Sequence, residues 1–179
     1  MIRTLIALLS MGMAAPAAAG TLYGRVGGWD VIKEETSCSV QLEYEGPGAS
    51  TITFGRGTEF GLAIIATNYN WTAKEDEKYD VILVLDGQVY GGKATGIENG
   101  IQKGFLTFVE DDFEAHFRQG STLNVYLGDD RIDQLSLSGT AAAVDLMNRC
   151  YAGVRREVEA ARRERERWDH LPKDPFSKK

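Results

Sequence analysis

The chain has 179 residues, of which 43% are hydrophobic and 26% charged, and its formal net charge is −6. That length suits one domain able to bury a full core without help from metals. Two cysteines exclude a cysteine-rich framework, and there is no collagen-like period or low-complexity tract. Twenty glycines against four prolines point instead to many short strands joined by turns.

Residues 1–19 read MIRTLIALLSMGMAAPAAA. Arg3 leads into the apolar run Leu5 to Leu9, and a small-residue stretch ends at Ala17-Ala18-Ala19. This three-part layout predicts a secretory signal peptide cleaved before Gly20. A membrane anchor is the competing reading, but it needs about 18 strongly apolar residues in a row. Here Ser10, Gly12 and Pro16 interrupt the run, and no lipid-accepting cysteine follows. A periplasmic or secreted location is expected, with no transmembrane span in the mature chain.

Residues 20–150 hold ten basic and twenty acidic side chains, a balance of −10, whereas residues 151–179 hold nine and six, a balance of +3. The acidic body argues against nucleic-acid binding, because phosphate repels carboxylate. Cys38 and Cys150 form an even pair in a chain bound for an oxidising compartment, which predicts a structural disulfide. Two reactive thiols are the alternative, but neither cysteine has a C-x-x-C partner or a nearby lysine or histidine to form a thiolate.

Residues 22–45 carry two expected strands, around Trp29 to Ile32 and around Ser39 to Tyr44. The second alternates Val40, Leu42 and Tyr44 with polar residues, the period of a half-buried strand. Gly46-Pro47-Gly48 breaks it, and further strands follow at Ser50 to Phe54 and Phe60 to Ala66. The clearest unit is Tyr79 to Tyr90, where Tyr79, Val81, Leu83 and Leu85 share one face and Asp86-Gly87 makes a hairpin turn. Gly91-Gly92 reads as a break or bulge. Gly104 to Val109 forms another strand, then a short helix with Phe113 and Phe117 four apart, stopped at Gly120. Thr122 to Leu127 and Ile132 to Leu137 make the last hairpin.

After Gly139 the period becomes helical. Thr140 is the expected N-cap, and Ala143, Val144, Met147 and Cys150 fall on one face, which brings Cys150 against the strand that holds Cys38. The predicted fold is therefore mainly β, an antiparallel β-sandwich or barrel with a C-terminal α-helix. From Val154 opposite charges recur three or four apart, as in Arg155–Glu159, Glu159–Arg163 and Arg162–Glu166, which supports an exposed helix. Val154, Val158, Ala161 and Trp168 leave only a thin apolar stripe, and Pro172 ends it. Such a tail is either a solvated helix end or a docking element for an envelope protein or an anionic surface.

Catalytic signatures are sparse. His116 lies between Phe113 and Phe117, His170 lies in the tail, and no G-x-S-x-G elbow exists to pair with either. Glu110, Asp111 and Asp112 with His116, or Asp129 and Asp130 with Asp133, depart from the spaced loop that wraps calcium. No phosphate-cradling glycine motif is present, so neither a metal nor a cofactor is expected. Tyr69 and Trp71 stand in a polar stretch, where they either grip a ligand or, in the case of Trp71, plug one end of the fold.

Trp29-Asp30-Val31, Cys38 and the segment Ile132-Asp133-Gln134-Leu135-Ser136-Leu137-Ser138-Gly139-Thr140-Ala141-Ala142-Ala143-Val144 resemble the invasion-associated locus B-like proteins, an exported alphaproteobacterial family. In that family a strand ending in a Ser-Leu-x-Gly turn feeds an Ala-rich helix. The resemblance spans residues 28–150 and implies an envelope β-sandwich of no established activity, with no catalytic residue to carry over. This chain lacks the additional cysteine pair that many of those proteins carry, and its charged tail is its own.

Residues 1–19 are thus read as signal peptide, 20–153 as a β-sandwich domain with a closing helix, and 154–179 as a charged helical tail. The leading functional expectation is a non-enzymatic envelope binding or interaction module. An envelope-polymer hydrolase using a carboxylate pair and a structural component tethered by its tail are the alternatives.

Overall fold

The computed structural model describes residues 20–46 and 48–169. The proposed signal peptide, Pro47, His170 and the chain beyond it lie outside the described residues. Ten strands are followed or interrupted by two helices. The strands are β1 (Thr21–Val26), β2 (Trp29–Lys33), β3 (Ser37–Glu43), β4 (Thr51–Gly57), β5 (Gly61–Asn68), β6 (Lys78–Leu85), β7 (Gln88–Asn99), β8 (Gln102–Val109), β9 (Thr122–Leu127) and β10 (Asp130–Ser136). Helix α1 (Asp111–Gln119) lies between β8 and β9, and α2 (Thr140–Asp169) follows β10.

All strands join one antiparallel sheet in the order β1-β2-β3-β4-β5-β8-β7-β6-β9-β10. The expected β-rich, antiparallel architecture with its C-terminal helix is present, and the sheet is open rather than closed into a barrel. β7 turns the sheet back on itself. Its first half, Gln88 to Thr95, pairs with β6, while its second half, Thr95 to Asn99, pairs with β8. The far edge is fastened by side chains instead of a ladder. Tyr44 donates its hydroxyl to the Ser136 carbonyl at 2.6 Å, the Trp29 indole donates to the Ser138 carbonyl at 2.9 Å, and Ser50 donates to Asp133.

Two local expectations are corrected. Residues 22–45 carry three strands, because β1 precedes the expected pair. β1 is an edge strand with Leu22 and Tyr23 exposed, so it lacks the buried face that produces a readable alternation. Gly91 and Gly92 neither break nor bulge β7; they pair in unbroken register with Ile82 and Val81. The pleat accepts glycine here without a kink, and neither residue takes a positive φ.

The inner face of the sheet buries Val31, Val40, Phe54, Ile64, Leu83 and Val125. Helix α1 forms where expected. Its Phe113 and Phe117 are both fully buried, and Gly120 donates its N–H to the His116 carbonyl at 2.7 Å. Phe117 packs on Phe54 with ring centroids 4.8 Å apart and meets Trp29 edge-on at 5.8 Å.

Helix α2 buries the predicted face through Ala143, Val144, Met147 and Cys150. Its start differs from expectation. Thr140 is the first helical residue rather than the cap, and its hydroxyl donates backward to the Leu137 carbonyl at 2.8 Å. Gly139 fills the capping place, its carbonyl accepting from Ala143 at 3.2 Å. Glycine is needed there: φ is +84°, and a side chain would run into the backbone of Gly27.

The helix then runs unbroken past Gly153. Val154 is fully buried, Val158 is half-buried, and the turns from Glu159 to Asp169 are exposed. Arg155–Glu159 and Arg162–Glu166 form the expected ion pairs at 3.7 and 3.4 Å, whereas Glu159 and Arg163 are not within ion-pair distance. Lys33 of β2 reaches Glu157 at 2.9 Å and ties the middle of the helix to the sheet.

Candidate functional site

The pairing of the two cysteines is direct. Cys38 on β3 is bonded to Cys150 on α2, both buried, which clamps the closing helix to the sheet. Beside it, Arg56 of β4 pairs with Glu114 of α1 at 2.9 Å and lies over the Tyr151 ring, and Glu114 accepts from Asn148 of α2 at 2.8 Å. These contacts lock helices and sheet together and present no nucleophile.

His116 is half-buried, its Nδ1 against the Tyr90 hydroxyl. Burial, with the carboxylates of Asp112 and Glu110, pushes the Tyr90 phenol above its ordinary value. Among the described residues His116 has a tyrosine, and not a serine or cysteine, as its side-chain hydrogen-bond partner. Among the described residues, no three His, Cys, Asp or Glu side chains gather to hold a metal ion.

An apolar hollow lies under the loop that joins β5 to β6, and a second one is lined by Cys38, Phe60 and Phe108 on the other part of the sheet. Local polar bonds shape that loop. Asn68, buried at the end of β5, accepts from the Asn70 N–H at 2.7 Å and donates to Ser50 at 2.8 Å, while the Tyr69 N–H reaches the Gly48 carbonyl at 2.8 Å. The chain therefore turns back, and the Trp71 ring settles on Phe105 of β8. Their planes lie within 14° of each other, with centroids 6.0 Å apart. Further along, Tyr79 accepts from the Lys74 N–H and donates to Glu77, each at 3.0 Å. Gly96 of β7 exchanges backbone bonds with Asp76 and Glu77. A side chain on Gly96 would collide with the Lys74 carbonyl, so glycine is what lets the loop lie flat against the sheet.

Beneath Trp71 this leaves a cavity of about 310 Å³. Trp71 and Ala73 form its loop wall, Tyr79 and Val81 come from β6, Gly104 and Phe105 from β8, and Leu127 and Ile132 from the last hairpin. Gly104 is a fixed requirement, since a Cβ there would overlap the Ala66 carbonyl on the neighbouring strand. Of the two aromatics singled out in the sequence, Trp71 lines this space, and Tyr69 is 44% exposed and stands outside it. Trp71 packs against the core and bounds the hollow. Phe105, Leu127 and Ile132 carried no functional signal, because each reads simply as an apolar strand residue.

Fold and site together define a disulfide-clamped, open antiparallel β-domain with a preformed apolar hollow. No family model matches the sequence, and no curated protein matches it. Among solved structures, the chain is similar to invasion associated protein B from Bartonella henselae. The likeness has a TM-score of 0.55 at 12% identity and covers 74% of this chain and 97% of that one. It is a likeness of fold alone and does not extend to the sequence resemblance in Trp29-Asp30-Val31 and around Gly139.

Proposed function

We propose that this chain is an exported, non-enzymatic binding module of the cell envelope, and that the hollow bounded by Trp71 is where it holds its ligand. The observation that carries the reading is the cavity itself: about 310 Å³, aromatic on one side and held open by a hydrogen-bonded loop. Its volume lies at the lower end of what small-molecule sites occupy. Export is supported by the three-part segment 1–19 and by the buried disulfide, which persists in oxidising compartments. Among the described residues no helix is long and apolar enough to cross a membrane. A fold shared with a protein called invasion-associated supports a place at the envelope.

The test uses the full chain expressed in a bacterial host. Recovery from the extracytoplasmic fraction, beginning at Gly20 and with both cysteines closed to alkylation, is the expected result. Native mass spectrometry of that material is then expected to show a bound small molecule that is lost from Ala73→Trp, a variant that fills the mouth of the cavity. Cytoplasmic retention with free thiols refutes export, and an identical ligand load in both forms refutes the site.

The projecting half of α2 favours a second role as a docking arm. Beyond Val158 its turns are exposed, and residues 155–169 carry six arginines against five acidic residues. The interleaving of both signs along this stretch suits a protein partner with mixed charges of its own. A chain ending at Ala160 keeps the buried Val154 and the half-buried Val158, and it is expected to leave the envelope-associated fraction for the soluble one. Unchanged fractionation refutes the arm.

A further inference from the structure

We infer that the cavity under Trp71 selects an uncharged ligand built on a flat apolar ring system; the inference rests on the reading of that cavity as the binding site. Three features of the walls lead there. First, none of the residues lining it is charged. A charge carried into this space would leave water without gaining a partner, which is strongly unfavourable. The Tyr79 hydroxyl is already engaged by Lys74 and Glu77, so Asn70 and Thr72, both exposed at the mouth, are the side chains left to bond a polar edge of the ligand.

Second, Trp71 and Phe105 stack on each other and bound the space on that side with aromatic surface. A ligand ring gains offset-stacked or edge-to-face contact with such rings that an aliphatic group of equal volume does not. Val81, Leu127 and Ile132 complete the lining from the other strands with aliphatic surface. Third, the segments flanking the lining are acidic. Glu75, Asp76, Glu77 and Asp80 follow the loop wall, and Asp129 and Asp130 lie beside Asp80, whose carbonyl accepts from the Gly128 N–H. Against these six carboxylates stand Lys74, paired with Glu77, Lys93, paired with Asp80, and the adjoining Lys78 and Arg131, so the surplus is negative by two and repels anions on approach.

Two fluorescent probes separate the possibilities, because they share one ring skeleton and differ by a single sulfonate: neutral phenylnaphthylamine and anionic anilinonaphthalene sulfonate. Each is titrated into the mature chain, residues 20–179, and into two variants that fill the cavity from opposite walls, Ala73→Trp on the loop and Ile132→Phe on β10. Far-UV circular dichroism verifies that the variants are folded. The neutral probe is expected to bind more tightly than the sulfonate by at least about tenfold, and both variants are expected to abolish its binding. If the two probes bind equally and both are lost in the variants, the cavity is the site but the selection for an uncharged ligand is wrong. If the neutral probe does not bind, or binds the filled variants as well as the parent, the cavity is not the site. In the latter case the exposed pair Phe60 and Phe108 on the outer face of the sheet becomes the place to look.

Discussion

Replacing both bridge cysteines, Cys38→Ala with Cys150→Ala, tests how the helix is held to the sheet. The bridge spans 112 residues of sequence. In the chain-entropy description, a cross-link over that span removes about 16 cal/mol/K from the denatured ensemble, or about 4.8 kcal/mol at 25 °C. Both sulfurs are buried, so each deletion also leaves a small hollow costing about 1 kcal/mol, like the loss of a buried methyl group. The expected loss is therefore about 5–7 kcal/mol, a large share of the roughly 5–15 kcal/mol that holds a domain together. Val144, Met147 and Val154 remain buried, and Arg118 still pairs with Asp145, so the variant folds but melts roughly 10–25 °C lower. Urea titration followed by far-UV circular dichroism measures the loss, and a larger m-value is expected as the unbridged denatured chain expands. A loss below about 2 kcal/mol with an unchanged m-value would refute the argument from denatured-chain entropy.

Three further outcomes follow from single contacts. Gly104→Ala drives a Cβ into the Ala66 carbonyl and is expected to cost about 3 kcal/mol, whereas Gly91→Ala, whose nearest neighbour would be Ile82 at 3.9 Å, stays within about 0.5 kcal/mol; melting temperatures separate the two. Tyr44→Phe removes the bond to the Ser136 carbonyl and is expected to cost about 1–2 kcal/mol at neutral pH by urea titration. Burial, then the charge of Asp133, raises the Tyr44 phenol above the 10.0 of an exposed tyrosine, so its contribution is complete below pH 10.0 and is lost as the pH rises beyond it. The parent is thus expected to lose stability faster than Tyr44→Phe above pH 10.0, and parallel alkaline limbs would contradict this. Met147→Ala, at a fully buried position of α2, is expected to cost about 3 kcal/mol in the same titration.

Much of the local structure was legible because it depends on neighbours along the chain. The hairpin at Asp86-Gly87 is an example: both residues take positive φ, 45° and 93°, as a tight turn between twisted strands requires. The face shared by Val81, Leu83 and Leu85, and the helical face ending at Cys150, followed from the period of apolar residues alone. β1 escaped notice because an edge strand need not alternate. The continuity of β7 through Gly91 and Gly92 escaped because glycine signals a break wherever its surroundings are unknown.

The residues by themselves determined the β-rich class, the turns, the closing helix and the pairing of the two cysteines, since each rests on periodicity, turn chemistry or simple arithmetic. Tertiary structure alone decided that β5 lies beside β8 and β6 beside β9, and that β7 changes partners at Thr95. Those pairings depend on how faces far apart in sequence fit together, which no local pattern encodes. The hollow under Trp71 belongs to the same category. It exists where side chains from a loop and four strands fall short of filling the space between them, and none of those residues, taken singly, is unusual for a strand or a loop.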